Sequence, residues 1–313
     1  MKKFSYIAAL VAFFASCAGA PAPVAGAKPS VAVEKVAETP PAMAAPAESA
    51  AAGIEPVAVV AQPRKEPKRI TVRIPMERKS SIRFSDGSID EYSLSEYDEA
   101  FALKVQTRYS ASGSILERTR FTVEAGRLVL KATMDGEEKL VSSRSYAYGA
   151  DGLVSGEVLV DGNGKPLSSF EFGYDASGHR VSWTVRDSKG SVLAVTSYSY
   201  KDGRIRTAEL KDGAGRKNGS SAYEYDADGR LAKQSFFDAK GSLLRTEITR
   251  WVAGAIAAEE RTNAGGTVQQ RTSYEYGADG EILRKTIEDL TGKSKQSVEY
   301  EYDFREEIKE VTE

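Results

Sequence analysis

Hydrophobic and polar positions alternate with a period of two over most of this chain. Val268, Gln270, Thr272, Tyr274 and Tyr276 share one parity, and Gln269, Arg271, Ser273 and Glu275 share the other. The same split sets Phe170, Phe172 and Tyr174 against Ser169 and Glu171, and Val298, Tyr300 and Tyr302 against Glu299 and Glu301. Looser stretches follow suit: Val181, Trp183 and Val185 against Ser182 and Thr184, and Leu128, Leu130, Ala132 and Met134. A period of two marks strands with one apolar and one wet face, the habit of an antiparallel sheet. Helix-period stretches are absent outside the first residues.

The strands repeat. Tyr223-Glu-Tyr225-Asp226-Ala-Asp228-Gly229-Arg230-Leu231 matches Tyr274-Glu-Tyr276-Gly-Ala-Asp279-Gly280-Glu-Ile282. Further copies are Phe172-Gly-Tyr174-Asp175, Tyr198-Ser-Tyr200-Lys and Tyr146-Ala-Tyr148-Gly, each followed by a turn glycine, with degenerate copies at Tyr97 and Tyr302. Glycines at 126, 152, 178, 203, 229, 254 and 280 are spaced by 25 or 26 residues, and a second series (Gly164, Gly190, Gly215, Gly241, Gly266) interleaves with them. The turn glycines Gly152, Gly178, Gly203, Gly229 and Gly280 supply positive φ, and the preceding Asp accepts local backbone bonds. Two turns per repeat leave strands of about 8–9 residues joined as antiparallel neighbours. The expectation is an all-β fold: a long antiparallel up-and-down meander of roughly 16–18 strands over residues 80–313. Its sheet twists or curls until the aromatic face is covered. Tyr148, Tyr174, Tyr200, Tyr225, Trp251, Tyr276 and Tyr302 fill one equivalent slot on that face.

The first 79 residues differ in kind. Lys2 and Lys3 precede an apolar run from Phe4 to Phe14, too short to span a bilayer and typical of a secretory signal. Two cleavage sites compete. Phe14-Ala15-Ser16-Cys17 resembles the bacterial lipobox, which implies a signal peptide over 1–16 and a diacylated Cys17; Ala18-Gly19-Ala20 is an ordinary small-residue site, and its use discards Cys17. Residues 17–79 form an Ala/Pro-rich tether holding ten of the eleven prolines. Such composition resists ordering and favours extended polyproline-II conformations. Its end, Arg64 to Lys79, carries seven basic residues and reads either as a solvated boundary or as a stretch that touches anionic lipid or cell wall.

The unit Tyr-x-Tyr-Asp-x-x-Gly-Arg-Leu, fully present at 223–231, resembles the YD repeat of the bacterial RHS family. That family's repeats build long β-hairpin sheets that spiral into a shell around a toxin. The resemblance covers about 230 residues past the tether, but this sequence carries no processing region or toxic domain after the last repeat, so encapsulation and self-cleavage are not implied.

Charge and chemistry narrow the function further. Lys+Arg number 43 against 45 Asp+Glu, which argues against a nucleic-acid partner. One Cys and one His leave no cysteine- or histidine-based metal site, and neither a metal nor another cofactor is expected. His179 follows a turn glycine, as Arg230 and Glu281 do elsewhere, and reads as a turn residue. Asp226-Ala-Asp228-Gly229 lacks calcium-loop spacing. Carboxylates recur with the repeat, no place visibly breaks the period, and no catalytic residue is assigned: the chain does not read as an enzyme. The expected role is binding or structure at the bacterial cell envelope, lipid-anchored, on the outer membrane. The partners expected are the membrane through the lipid and an unidentified protein or glycan. Three other readings stand beside it. The Tyr rows fill a core or form a stacking platform for a carbohydrate or peptidoglycan ligand. The basic start and the acidic end, Glu299–Glu313, join molecules head to tail. The strands close into an outer-membrane barrel.

Overall fold

The computed structural model describes residues 68–311. The signal peptide, Cys17 and most of the tether lie outside the described residues. Eighteen strands follow one another without a helix among the described residues. They are β1 (Lys68–Phe84), β2 (Ile89–Tyr97), β3 (Leu103–Ser110), β4 (Ile115–Glu124), β5 (Arg127–Asp135) and β6 (Leu140–Tyr148). Next come β7 (Val154–Asp161), β8 (Pro166–Tyr174), β9 (Arg180–Asp187), β10 (Val192–Lys201), β11 (Arg204–Asp212) and β12 (Lys217–Tyr225). The last six are β13 (Leu231–Asp238), β14 (Leu243–Val252), β15 (Ala255–Asn263), β16 (Val268–Tyr276), β17 (Ile282–Asp289) and β18 (Ser294–Val311).

Each strand pairs antiparallel with its sequence neighbours, and β1 pairs with both β2 and β18. The meander is therefore a closed barrel, which corrects the expectation of a twisted or curled sheet. The cause lies in the stretch read as the tether's basic end. Lys68–Lys79 is the first part of β1, and its register with the acidic last strand runs from Lys68 opposite Val311 to Phe84 opposite Gln296. Arg78 and Lys79 pair with Glu301 at 2.8 and 3.1 Å, Arg83 with Glu299 at 2.6 Å, and Arg69 with Glu310 at 3.0 Å. The opposite charges of the two ends thus meet within one chain.

Beyond the seam, β1 and β18 run on as a two-stranded ribbon. Lys68–Glu77 and Tyr302–Val311 pair only with each other. The ribbon leaves the barrel at the rim that carries the Tyr slot, here the first rim; the opposite rim is the second.

Turn chemistry accounts for the alternating repeat length. In the longer first-rim turns, Gly229 donates to the Asp226 carbonyl at 3.0 Å, and the Asp226 carboxylate accepts from the Arg230 amide at 2.8 Å. Three first-rim hairpins instead use two left-handed residues, as in Asp202 (φ 53) and Gly203 (φ 73), the twist-matched type I′ geometry. That turn is one residue shorter, so Tyr200 to Tyr225 spans 25 residues where Tyr174 to Tyr200 spans 26.

The interior is not a packed core. Among the described residues the buried apolar side chains are Met134, Ala208 and Phe236 alone. Eighteen strands about 4.8 Å apart and tilted give a backbone cylinder roughly 30–35 Å across when round, too wide for side chains to fill. Cohesion comes from the closed ladder, cross-strand pairs and turns.

Candidate functional site: the inner wall and its tyrosine rim

Register assigns the faces. Residues directly opposite share a face, so Tyr198, Ala208, Ser221, Phe236 and Arg245 lie together. This face carries every Tyr of the slot. Along most strands it is also the less exposed one: in β16, Thr272, Tyr274 and Tyr276 are half-buried while Arg271, Ser273 and Glu275 are exposed; β15 departs from this, with Glu260 and Thr262 buried on the other face. A closed sheet crowds side chains on its concave side and spreads them on its convex side. We therefore assign the Tyr face to the inner wall.

The wall's polar groups are matched to one another. Arg108 pairs with Glu91 at 2.5 Å and Glu117 at 3.6 Å, Arg144 pairs with Glu157 at 2.7 Å, and the Tyr274 hydroxyl donates to Glu259. Burial pushes the Tyr274 phenol up, with the Glu259 carboxylate adding to it, so the hydroxyl stays a donor. A shallow hollow of about 250 Å³ beside the seam is lined by Glu77, Ser80, Glu91, Ser93, Arg108 and Tyr300 among others. Among the described residues no three His, Cys, Asp or Glu gather as a metal site.

The seven aromatic residues of the repeated slot come together as a ring at the first rim. Tyr148, Tyr174, Tyr200, Tyr225, Tyr276 and Tyr302 each donate a hydroxyl to the carbonyl twenty residues earlier, at 2.7–2.9 Å. Trp251 does so with its indole N–H, on Leu231 at 2.8 Å. Tyr97, identified from sequence only as a degenerate copy, joins them on Glu77 at 2.9 Å. Each bond ties a hairpin to its neighbour around the rim. One slot lacks the bond: Val123 occupies it. Burial raises the phenols of Tyr97, Tyr200, Tyr225, Tyr276 and Tyr302 above the ordinary tyrosine value, so these five hydroxyls remain donors. Gly152, Gly178, Gly203, Gly229 and Gly280 all adopt positive φ in the turns of this rim. His179 stacks on Tyr200 at 4.8 Å, with Nδ1 3.2 Å from the Asp175 carboxylate.

Register also reveals what inspection of the sequence missed. Opposite the inner-face residue two before each rim-slot residue stand Ser80, Gln106, Lys131, Glu157, Ala208, Gln234, Glu259 and Lys285 in eight repeats. In the ninth it is Trp183, opposite Phe172. Four before the rim residue stand Ser93, Thr119, Arg144, Thr196, Ser221, Glu247 and Thr272, with Val298 at the seam; the ninth is Phe170. Two wall positions that are polar or small in most other repeats are thus aromatic side by side. The signal was present in the sequence but needed strand register to be read.

No family model matches this chain, and no curated protein does. Among solved structures, it is similar to a porin-like protein from Bacteroides uniformis, at 10% identity over 72% of this chain and 98% of that one, with TM-score 0.40. A porin-like protein from Bacteroides vulgatus is similar at 12% identity over 74% and 99%, with TM-score 0.30. TcdB2-TccC3 without its hypervariable C-terminal region is similar at 14% identity, over 71% of this chain and 15% of that one, with TM-score 0.33. Likenesses this distant assign no family.

Proposed function

We propose that this protein is an exported, lipid-anchored barrel of the bacterial envelope that holds an extended polar ligand, such as a glycan strand, against its inner wall. The observation that carries this reading is the sparsely buried inner wall. Its Tyr, Phe and Trp rings are half-buried, with matched charges among them, in a closed barrel whose strand number gives a girth that side chains do not fill when round. Rings of this kind stack on the apolar faces of sugars, and the paired Arg and Glu residues meet hydroxyl and amide groups. The lipobox-like Phe14–Cys17 and the Pro-rich tether supply the anchor and the reach.

A second reading, a membrane channel, is favoured by closure into eighteen antiparallel strands, within the size range of outer-membrane barrels. Charge opposes it. Mid-strand charges stand on both faces: Arg118, Glu171, Arg186, Glu209, Arg250 and Arg271 on one, and Arg108, Lys131, Arg144, Glu157, Glu247 and Arg261 on the other. Either face turned to lipid places several of these in the apolar band, at about 2–4 kcal/mol for each Arg or Lys near the midplane.

The full chain carrying Cys17→Ser, which prevents lipidation, tests the choice. Recovery as a folded β protein without detergent, together with retention on immobilised envelope glycan, is the expected result. A requirement for detergent overturns it in favour of the channel. Solubility without glycan retention overturns the binding role.

A further inference from the structure

We infer that the wall of β8 and β9 is a saccharide subsite centred on Trp183 and Phe170; this rests on the reading of the inner wall as a ligand surface. In an array of repeats, uniform positions serve the architecture that all repeats share. A local departure serves something else. Here the departure is a pair of aromatic rings, Phe170 and Trp183, with centroids 6.3 Å apart and planes inclined by 30°. They extend the row Phe172 and Tyr174 on the same face of β8. The result is a continuous aromatic strip running from mid-wall to the rim.

Two guanidinium groups lie over the strip, each above one face of a ring. The Arg180 guanidinium lies 4.5 Å from the centroid of Phe172, and that of Arg144 lies 5.3 Å from the centroid of Phe170. Arg144 also pairs with Glu157, so donors and acceptors border the rings. This is the composition that receives a pyranose: ring faces for the C–H surface and charged groups for the hydroxyls at its edge.

A second observation falls in the same place. Trp183 Nε1 and Arg180 Nε are the buried side-chain nitrogen and oxygen atoms that lack a hydrogen-bond partner among the described residues. Trp251 shows the contrast, since its indole N–H is bonded at 2.8 Å. Unsatisfied buried donors are costly, and an uncompensated pair in one patch marks a place where an acceptor is missing. Both atoms are closed to solvent, so a ligand oxygen reaches them only through a shift of the indole. Binding must therefore change the environment of Trp183.

The experiment uses the full Cys17→Ser chain with Trp251→Tyr, the residue most other repeats carry in that slot, which leaves Trp183 as the sole tryptophan. Titration with an N-acetylglucosamine tetramer and, separately, with maltotetraose is expected to give a saturable change in Trp183 emission for at least one of them. Calorimetry on Trp183→Gln, the residue found at the equivalent positions 106 and 234, is expected to show binding weakened at least tenfold with the melting temperature retained. Phe170→Ser, the residue found at the equivalent positions 93 and 221, serves if that variant does not fold. Saccharide binding that leaves Trp183 emission unchanged and survives both substitutions overturns the subsite while the lumen reading stands. Absence of saccharide binding in the parent overturns both. A response to an apolar dye but to neither saccharide overturns the saccharide assignment.

Discussion

Tyr225 illustrates what one side chain contributes to this barrel. Its ring lies half-buried on the inner face, and its hydroxyl donates to the Ile205 carbonyl of the neighbouring hairpin at 2.9 Å. Tyr225→Phe keeps the ring and removes the link, at a cost of about 0.5–1.5 kcal/mol. Differential scanning calorimetry should register a fall of roughly 1–5 °C. The reverse experiment is available at Val123, which is 36% exposed and stands in the one slot without the bond. Val123→Tyr places a hydroxyl where the Leu103 carbonyl lies twenty residues back, matching the ring's spacing, and should raise the melting temperature by a similar amount. Glu260 on the outer face is a different case. It is 7% exposed because Arg250 and Arg271 cover it, at 3.0 and 2.9 Å. The hydrogen bond from Arg250, then that from Arg271, holds its carboxyl below the usual glutamate value. A lowered folded pKa means stability that is present above the unfolded value and lost as pH falls through the folded one. Glu260→Gln should cost about 1–2 kcal/mol near neutrality, since both arginines remain solvated, and should flatten part of the acid limb of the melting curve.

At the scale of the element, the turns are where acid acts on the whole array. Asp175, Asp212, Asp226 and Asp238 are each held below the ordinary aspartate value, chiefly by the backbone N–H four residues on. Their contribution is complete above the unfolded value and disappears as pH falls through the lowered folded ones, so melting temperature should drop steadily between about pH 5 and pH 2. The chain contains its own control. Asn263 makes the same turn, accepting from the Thr267 amide at 2.9 Å without a titratable group. Asp238→Asn should therefore fold as well at neutral pH and titrate less; an unchanged acid limb counts against the turn mechanism. These turns were legible because Asp and Gly have few uses at such spacing, and the period of two gave the strands between them. The aromatic departure at Phe170 and Trp183 was not, because alternation shows that a residue is apolar without showing what its register partner is elsewhere. The rim bonds escaped for a related reason: Tyr225 and Ile205 are cross-hairpin neighbours, and no local pattern places a hydroxyl on a carbonyl twenty residues away.

At the scale of the molecule, the decisive event is closure, and it rests on β1 reaching both β2 and β18. Residues 68–79 have the Pro75 and the basic charge of a linker, yet they form half of the seam because their partner is as acidic as they are basic. Proline is tolerated there because β1 beyond Glu77 has no second neighbour and lies at an edge. Exposed ion pairs contribute little individually, about 0.2–1 kcal/mol, so the backbone ladder supplies most of the seam's strength. What charge decides is which strand β1 accepts. Every rival edge must oppose the same Arg69, Arg73, Arg78, Lys79 and Arg83, and like charges directly opposite are unfavourable. Glu299→Lys with Glu301→Lys turns the seam into such a rival. The double variant should lose several degrees of melting temperature and, in sedimentation velocity, populate dimers and larger species in which β1 or β18 pairs with another copy. Adding Arg78→Glu, Lys79→Glu and Arg83→Glu restores opposite charge across the same register and should return the monomer. If the double variant sediments as the parent does, register and backbone pairing alone select the partner, and the charged ends serve only to keep the ribbon's free edges from other strands.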